Sequence, residues 1–194
     1  PAVPGPALTV ARGQLRIYLG AAPGVGKTYA MLVEAHRRAE RGTDVRWPLR
    51  EFKEQVDRLA RGLVQLGIQR GDKVGVLSPN RPEWMLANFA LPKIGAVLVT
   101  INTHSRQQEL AHILGQAELR ALILQRSHRG NPYLQHLQAL LATGDYPEFR
   151  HAILLDGEEP GTLPFAQVVA AAGRVKPAAL AERQAQVAPS HRWQ

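Results

Sequence analysis

The 194-residue chain is 45% hydrophobic and contains no cysteine, which excludes disulfides and cysteine-based metal or nucleophile chemistry. Its formal charge of +8 divides evenly. Residues 1–46 hold seven Lys/Arg against three acids, and residues 47–194 hold seventeen against thirteen, +4 in each part. The basic residues interleave with Glu and Asp and form no aromatic-and-basic cluster, so a solvated surface is expected and a nucleic-acid partner is not.

Residues 1–12 carry three prolines without periodicity and read as a flexible tail. Leu15 to Leu19 is a predicted strand, followed by a Gly/Pro-rich turn and a helix from Lys27 to Arg41. Cations in its last turn and Gly42 stop that helix, and Thr43 to Val45 opens a second strand. The turn is a relaxed G-x-x-x-x-G-K-[ST] pattern in strand–loop–helix context. Its candidate nucleotide-binding residues are Gly20, Ala21, Gly24, Gly26, Lys27 and Thr28. Backbone N–H groups would cradle phosphate oxygens, Lys27 would reach the terminal phosphates, and the Thr28 hydroxyl would hold Mg²⁺ of an ATP complex. Ala21 occupies the first Gly position, which reduces the freedom for positive φ. The plainer reading is a Gly-rich strand-to-helix turn.

From residue 47 onward, strands and helices alternate. Leu49 to Leu66 has Phe52, Val56, Leu59, Leu63 and Leu66 at helical spacing, and Gly67 ends it. Lys73 to Leu77 is a buried strand. Ser78 to Glu83 starts a helix with a capping residue and an early acid, running to Gly95. Ala96–Ile101, Ala121–Leu124 and His151–Leu155 are further strands. Arg106–Gln116, Tyr133–Ala142 and Leu163–Ala172 are further helices. The alternation predicts an α/β fold with a layered, mostly parallel sheet. Lys93 interrupts the best apolar run, Ala87 to Ile101, so no bilayer-spanning segment is expected. No leader is visible at Pro1, and a cytoplasmic location is expected.

Other polar residues read as background. Ala152 to Asp156 could imitate an apolar strand ending in a Mg²⁺-binding Asp, but Asp156 to Gly161 is better read as an acidic turn. The seven His show no metal spacing. Ser78 and Ser105 read as helix caps, His128 as a loop group, His136 as a helix-surface group, and Arg126 to Tyr133 as a surface loop.

Two resemblances organise these elements. RGQLRIYLGAAPGVGKTYAMLVEAHRRAERGTDV, residues 12–45, resembles the nucleotide-binding region of potassium-sensing histidine kinases of the KdpD type. Residues 47–190 resemble the start of the large domain of AMP-forming acyl-CoA synthetases, the adenylate-forming superfamily. The carrying motifs are REFKEQVDRLARGLVQLGIQRGDKVGVLSPNRPEWMLANFALPKIGAVLVTIN and SRQQELAHILGQAELRALI. Trp84, Gly95 and Asn102 fall where that family has them, and the text looks most like fatty-acyl-CoA ligases. This resemblance implies activation of a carboxylic acid by Mg-ATP to an acyl-adenylate, then transfer to coenzyme A. The family's Ser/Thr/Gly-rich phosphate loop is expected soon after Ser190, where His191 to Gln194 stand instead. No catalytic residue of the family maps onto this sequence.

The expected organisation is therefore a tail (1–12), a P-loop fragment (13–46), a ligase-like fragment (47–190) and a divergent tail (191–194). Three functions follow as expectations: a ligase fragment inactive alone, an ATP-binding regulatory module, or a recombined reading frame without selected function.

Overall fold

A computed structural model describes residues 47–187 of the chain. The chain forms two compact units, residues 1–54 and residues 55–194. In the first, the described residues open helix α1 (Leu49–Gln65). The Phe52 N–H donates to Pro48 O at 2.9 Å, and the Trp47 and Phe52 rings lie 6.1 Å apart. An exposed Arg50–Glu54 pair at 3.6 Å contributes little. The predicted tail, P-loop strand and helix, the strand at Thr43, and residues 188–194 lie outside the described residues.

In the second unit, Val56, Leu59 and Leu63 are buried, as their 3–4 spacing demands of an amphipathic helix. Gly67 stops the helix at φ +85°, with Gly67 N–H donating to Val64 O and Ile68 N–H to Leu63 O. These two bonds satisfy carbonyls that a helix end leaves open, and a β-carbon would strain the left-handed residue that makes them.

Five parallel strands follow: β1 (Lys73–Leu77), β2 (Val97–Thr100), β3 (Leu119–Leu124), β4 (His151–Leu154) and β5 (Leu163–Pro164). Their order is β2-β1-β3-β4-β5. The helices between them are α2 (Pro82–Lys93), α3 (Gln107–Gln116) and α4 (Tyr133–Leu141). The described residues end with α5 (Phe165–Ala170), a 3₁₀ turn (Ala171–Arg174) and α6 (Pro177–Gln186). The expected parallel α/β sheet is present.

Strand composition explains this architecture. β3 reads LRALIL and is buried on both faces, as a parallel sheet covered by helices requires. Leu122 and Leu124 join Leu77, Leu110, Leu114, Leu134 and Leu137 in one core cluster under α3 and α4. Ala121 and Ile123, at the alternate positions, face the opposite layer and are fully buried. Each such leucine contributes roughly 1.5–3 kcal/mol on leaving water. Gly75 on β1 has no room for a side chain, since a β-carbon would stand 2.7 Å from Leu122 Cδ1.

Several local expectations need correction. Leu163–Pro164 is a short strand, and the helix predicted from Leu163 begins only at Phe165. Pro164 cannot donate to a ladder, so the strand ends there. Helix α6 was not anticipated, because Leu180 alone of its residues is buried and no apolar stripe marks it. Ser78 caps nothing: its hydroxyl donates to Pro79 O at 3.1 Å, and Arg81 is the N-cap of α2. Ser105 lies one residue before the N-cap Arg106 of α3, whose N–H is taken by the Glu109 carboxylate at 2.9 Å.

Candidate ligand crevice at the carboxyl edge of the sheet

The strand order sets where a site can form. The connection from β1 leaves toward β2 on one side, whereas the connection from β3 leaves toward β4 on the other. The loops after β1 and β3 therefore diverge and open a crevice beyond the carboxyl ends of the two central strands, the position at which open α/β sheets bind ligands. Gln125 directly follows the last residue of β3. Its N–H donates to Leu77 O at 3.2 Å, continuing the β1–β3 ladder by one rung. Its side-chain Oε1 is buried and has no hydrogen-bond partner among the described residues. An unsatisfied buried carbonyl costs roughly 1–3 kcal/mol.

The wall after β3 is built from a short hairpin. His128 and Asn131 exchange both backbone bonds, at 3.0 and 2.9 Å. Arg129 and Gly130 between them both have positive φ, 48° and 76°. Two left-handed residues in a row are the signature of a tight turn of primed type, and Gly supplies one of them at no steric cost. The turn carries Asn131 inward, where it is 4% exposed. Its Nδ2 donates to Ser105 O at 2.8 Å and Thr103 O at 3.3 Å, so Oδ1 is left to accept from His136 Nε2 at 3.1 Å. Tyr133 adds its hydroxyl to the same Thr103 carbonyl at 2.7 Å. Burial pushes the Tyr133 phenol pKa up, and hydrogen bonding at Thr103 and the positive charge of Arg106 offset this only in part. Two loops that end different strands are thus locked together through one amide and one phenol.

Arg126 ties this wall to the turn after β4. Its N–H donates to Asp156 Oδ1 at 2.7 Å, Nη1 to Glu159 Oε2 at 2.5 Å and Nη2 to Glu158 O at 3.1 Å. Asp156 therefore serves as an acceptor in an acidic turn, consistent with the plainer of its two sequence readings. An open groove of about 390 Å³ runs beside this clip, lined by Arg126, Ser127, Gln135, Gln138 and Glu159 among others. Across the crevice, Arg81 pairs with Glu83 through two contacts of 3.1 Å.

The predicted P-loop residues Gly20, Ala21, Gly24, Gly26, Lys27 and Thr28 lie outside the described residues. Of the positions singled out by resemblance, Gly95 adopts φ +75°, and Asn102 Oδ1 accepts the His104 N–H at 2.9 Å in the turn after β2. His136, expected on the helix surface, is half-buried and engaged with Asn131. Gln125, Asn131 and Tyr133 escaped the sequence reading. The Asn-Pro-Tyr run after a Gly was a usable turn signal, but nothing in the sequence marks a buried amide without a partner. Among the described residues no group of three or more His, Asp or Glu is placed to hold a metal ion, and no helix is long and apolar enough to cross a membrane.

Comparison with known proteins places this geometry. The chain is 30% identical over 150 residues to the acyl-CoA ligase sidI of Aspergillus fumigatus, covering 75% of this chain and 25% of that protein. It is 30% identical over 139 residues to the human mitochondrial medium-chain acyl-CoA ligase ACSF2, covering 66% and 23%. Among solved structures, that of the anthranilate CoA ligase AuaEII in complex with anthranoyl-AMP superimposes with a TM-score of 0.58 at 26% identity, over 66% of this chain and 23% of that one. The chain thus spans about a quarter of the length of the curated relatives it matches. The profile of the AMP-binding enzymes matches residues 29–190. With more than half of its length inside that profile, the chain belongs to the AMP-binding enzyme family.

Proposed function

We propose that this chain is the amino-terminal portion of an ATP-dependent, carboxylate-activating acyl-CoA ligase, located in the cytoplasm, and that it does not complete the reaction alone. In such a ligase Mg-ATP would convert a fatty acid to an acyl-adenylate, and coenzyme A would take the acyl group. Two facts support the reading: the matched relatives carry ligase names, and the chain corresponds to about a quarter of each.

The observation that carries the second clause is the state of the two crevice arginines. Arg81 is committed to Glu83, and Arg126 to Glu159 and the Asp156 turn. These described residues therefore do not fit a triphosphate, whose charge needs several uncommitted donors. Here the crevice acts as a wall whose loops are held in place for groups supplied elsewhere. The test is pyrophosphate release by the purified chain with Mg-ATP and a fatty acid. No release above background is expected, and a sustained acyl-adenylate signal refutes the reading.

A second reading has its own observation. The family match opens at Tyr29, immediately after Thr28, so the loop from Gly20 to Thr28 is not accounted for by the family. An ATP-binding module of the sensor-kinase type would use that loop, with Lys27 on the terminal phosphates and Thr28 on Mg²⁺. Titration with ATP decides: the module requires measurable affinity that Lys27→Ala weakens at least tenfold. Absent affinity overturns the module, and sequencing of the flanking DNA then separates the ligase portion from a recombined reading frame.

A further inference from the structure

Helix α6 is attached to the fold differently from the helices that cover the sheet. Seven of its ten residues are exposed, and Leu180 alone is buried. A helix of this length does not persist in water on propensity alone, and a single leucine gives it little apolar face to bury. Its first turn has no side-chain cap either, with Lys176 as the N-cap and Pro177 following it.

Arginines supply the attachment. Arg183, in the last turn of α6, donates from Nη1 to Ile68 O at 3.0 Å. Arg70 returns the contact: its Nη1 donates at 3.0 Å to Gln186 O, one of the carbonyls that a helix end leaves open. Ahead of the helix, Arg61 Nη1 on α1 donates to Val175 O at 3.3 Å. The stem of Arg70 and the side chain of Val187 meet over Gly95, where a β-carbon would stand 2.9 Å from Arg70 Cγ and 3.1 Å from Val187 Cγ2. Ile68 and Arg70 lead into β1 and Gly95 leads into β2, so α6 is strapped across the amino edge of the sheet. Along its length it lies against α2.

We propose that α6 is a latch that opens and closes as one unit while the five strands stay paired, and that the reciprocal Arg70–Gln186 and Arg183–Ile68 bonds set its closing equilibrium. Opening frees the turn from Gln69 to Asp72 that enters β1 and bares the part of α2 that α6 covers. Water can take over each of the released carbonyls and guanidinium donors, so the opening costs little, as moving elements of a fold require. The latch sits at the opposite end of the sheet from the crevice and is independent of what the crevice binds.

Amide hydrogen exchange on the full chain tests it. The amides of Ala181 to Gln186 are expected to share one protection factor, at least about a hundredfold below that of Leu122 and Ile123 in β3. Arg70→Gln and Arg183→Gln should each lower the protection of all six α6 amides by about five- to tenfold and leave Leu122 and Ile123 unchanged. Protection in α6 equal to that in β3 overturns the proposal, because the helix then opens only with the whole fold. Protection that is graded along α6 overturns it in favour of fraying from one end. An arginine variant that leaves α6 unaffected, or that lowers β3 by the same factor, also overturns it.

Discussion

The carbonyl oxygen of Val168 stands 2.0 Å from the position that a β-carbon on Gly62 would occupy. Helix α1 and helix α5 therefore touch backbone to backbone at this point, and only glycine permits it. Gly62→Ala is expected to lower stability by about 2 kcal/mol, as overpacking of roughly 3 kcal/mol against rigid backbone outweighs a helix-propensity gain of about 1 kcal/mol. In thermal unfolding this corresponds to a fall of about 4 °C. An unchanged midpoint would mean that α5 moves aside freely.

Tyr133 supplies a pH signature. Its phenol pKa lies above the ordinary 10.0 in the folded chain because burial disfavours the phenolate. The folded state then holds its proton more tightly than the unfolded state, so this contribution is complete below pH 10 and is lost as pH rises through the folded value. Urea midpoints between pH 8 and 11.5 should fall at the alkaline end. Tyr133→Phe, which gives up the 2.7 Å bond to Thr103 O, should cost about 1 kcal/mol near neutrality and flatten that alkaline decline.

Asn131 joins the loops after β2 and β3 through two carbonyls and His136. Asn131→Ala leaves buried groups unpaired and should cost about 2–3 kcal/mol. Asn131→Asp should be no better, since the Nδ2 donors are lost and a carboxylate would face the carbonyls of Ser105 and Thr103. Equal stability of the two variants and the parent in denaturant titration would show that the hub carries no energy.

Gln125 predicts the opposite sign. Removing a buried carbonyl that has no partner should leave stability unchanged or raise it by about 0.5–1 kcal/mol, so Gln125→Leu is expected to unfold no earlier than the parent. A loss above about 1 kcal/mol in the same titration would show that Oε1 is satisfied in solution.

Lys93 and Asp57 form an ion pair between α2 and α1, with each side chain about one quarter exposed. Lys93→Met should cost about 0.5–1 kcal/mol, and the difference from the parent should shrink in high salt. A difference insensitive to salt would assign the effect to packing of the lysine stem.

What the residues determined alone was local. The 3–4 spacing of Val56, Leu59 and Leu63 made α1, the LRALIL run made a doubly buried strand, and Pro82 with Glu83 opened α2, because periodicity and backbone restriction act over a few residues. The family was legible too, since its motifs are continuous text. Strand order was not, because β1 must pair with β2 and β3 at once and only the crossovers decide which side each takes. The crevice depends on that choice. So does the cluster of Gln125, Asn131, Tyr133 and His136, whose chemistry arises from burial and from partners such as Thr103 and Ser105, 26 to 30 residues distant in sequence from Asn131 and Tyr133. The short β5 and the unstriped α6 were missed for a related reason: their stability comes from what they pack on, and tertiary contact supplies what local propensity lacks.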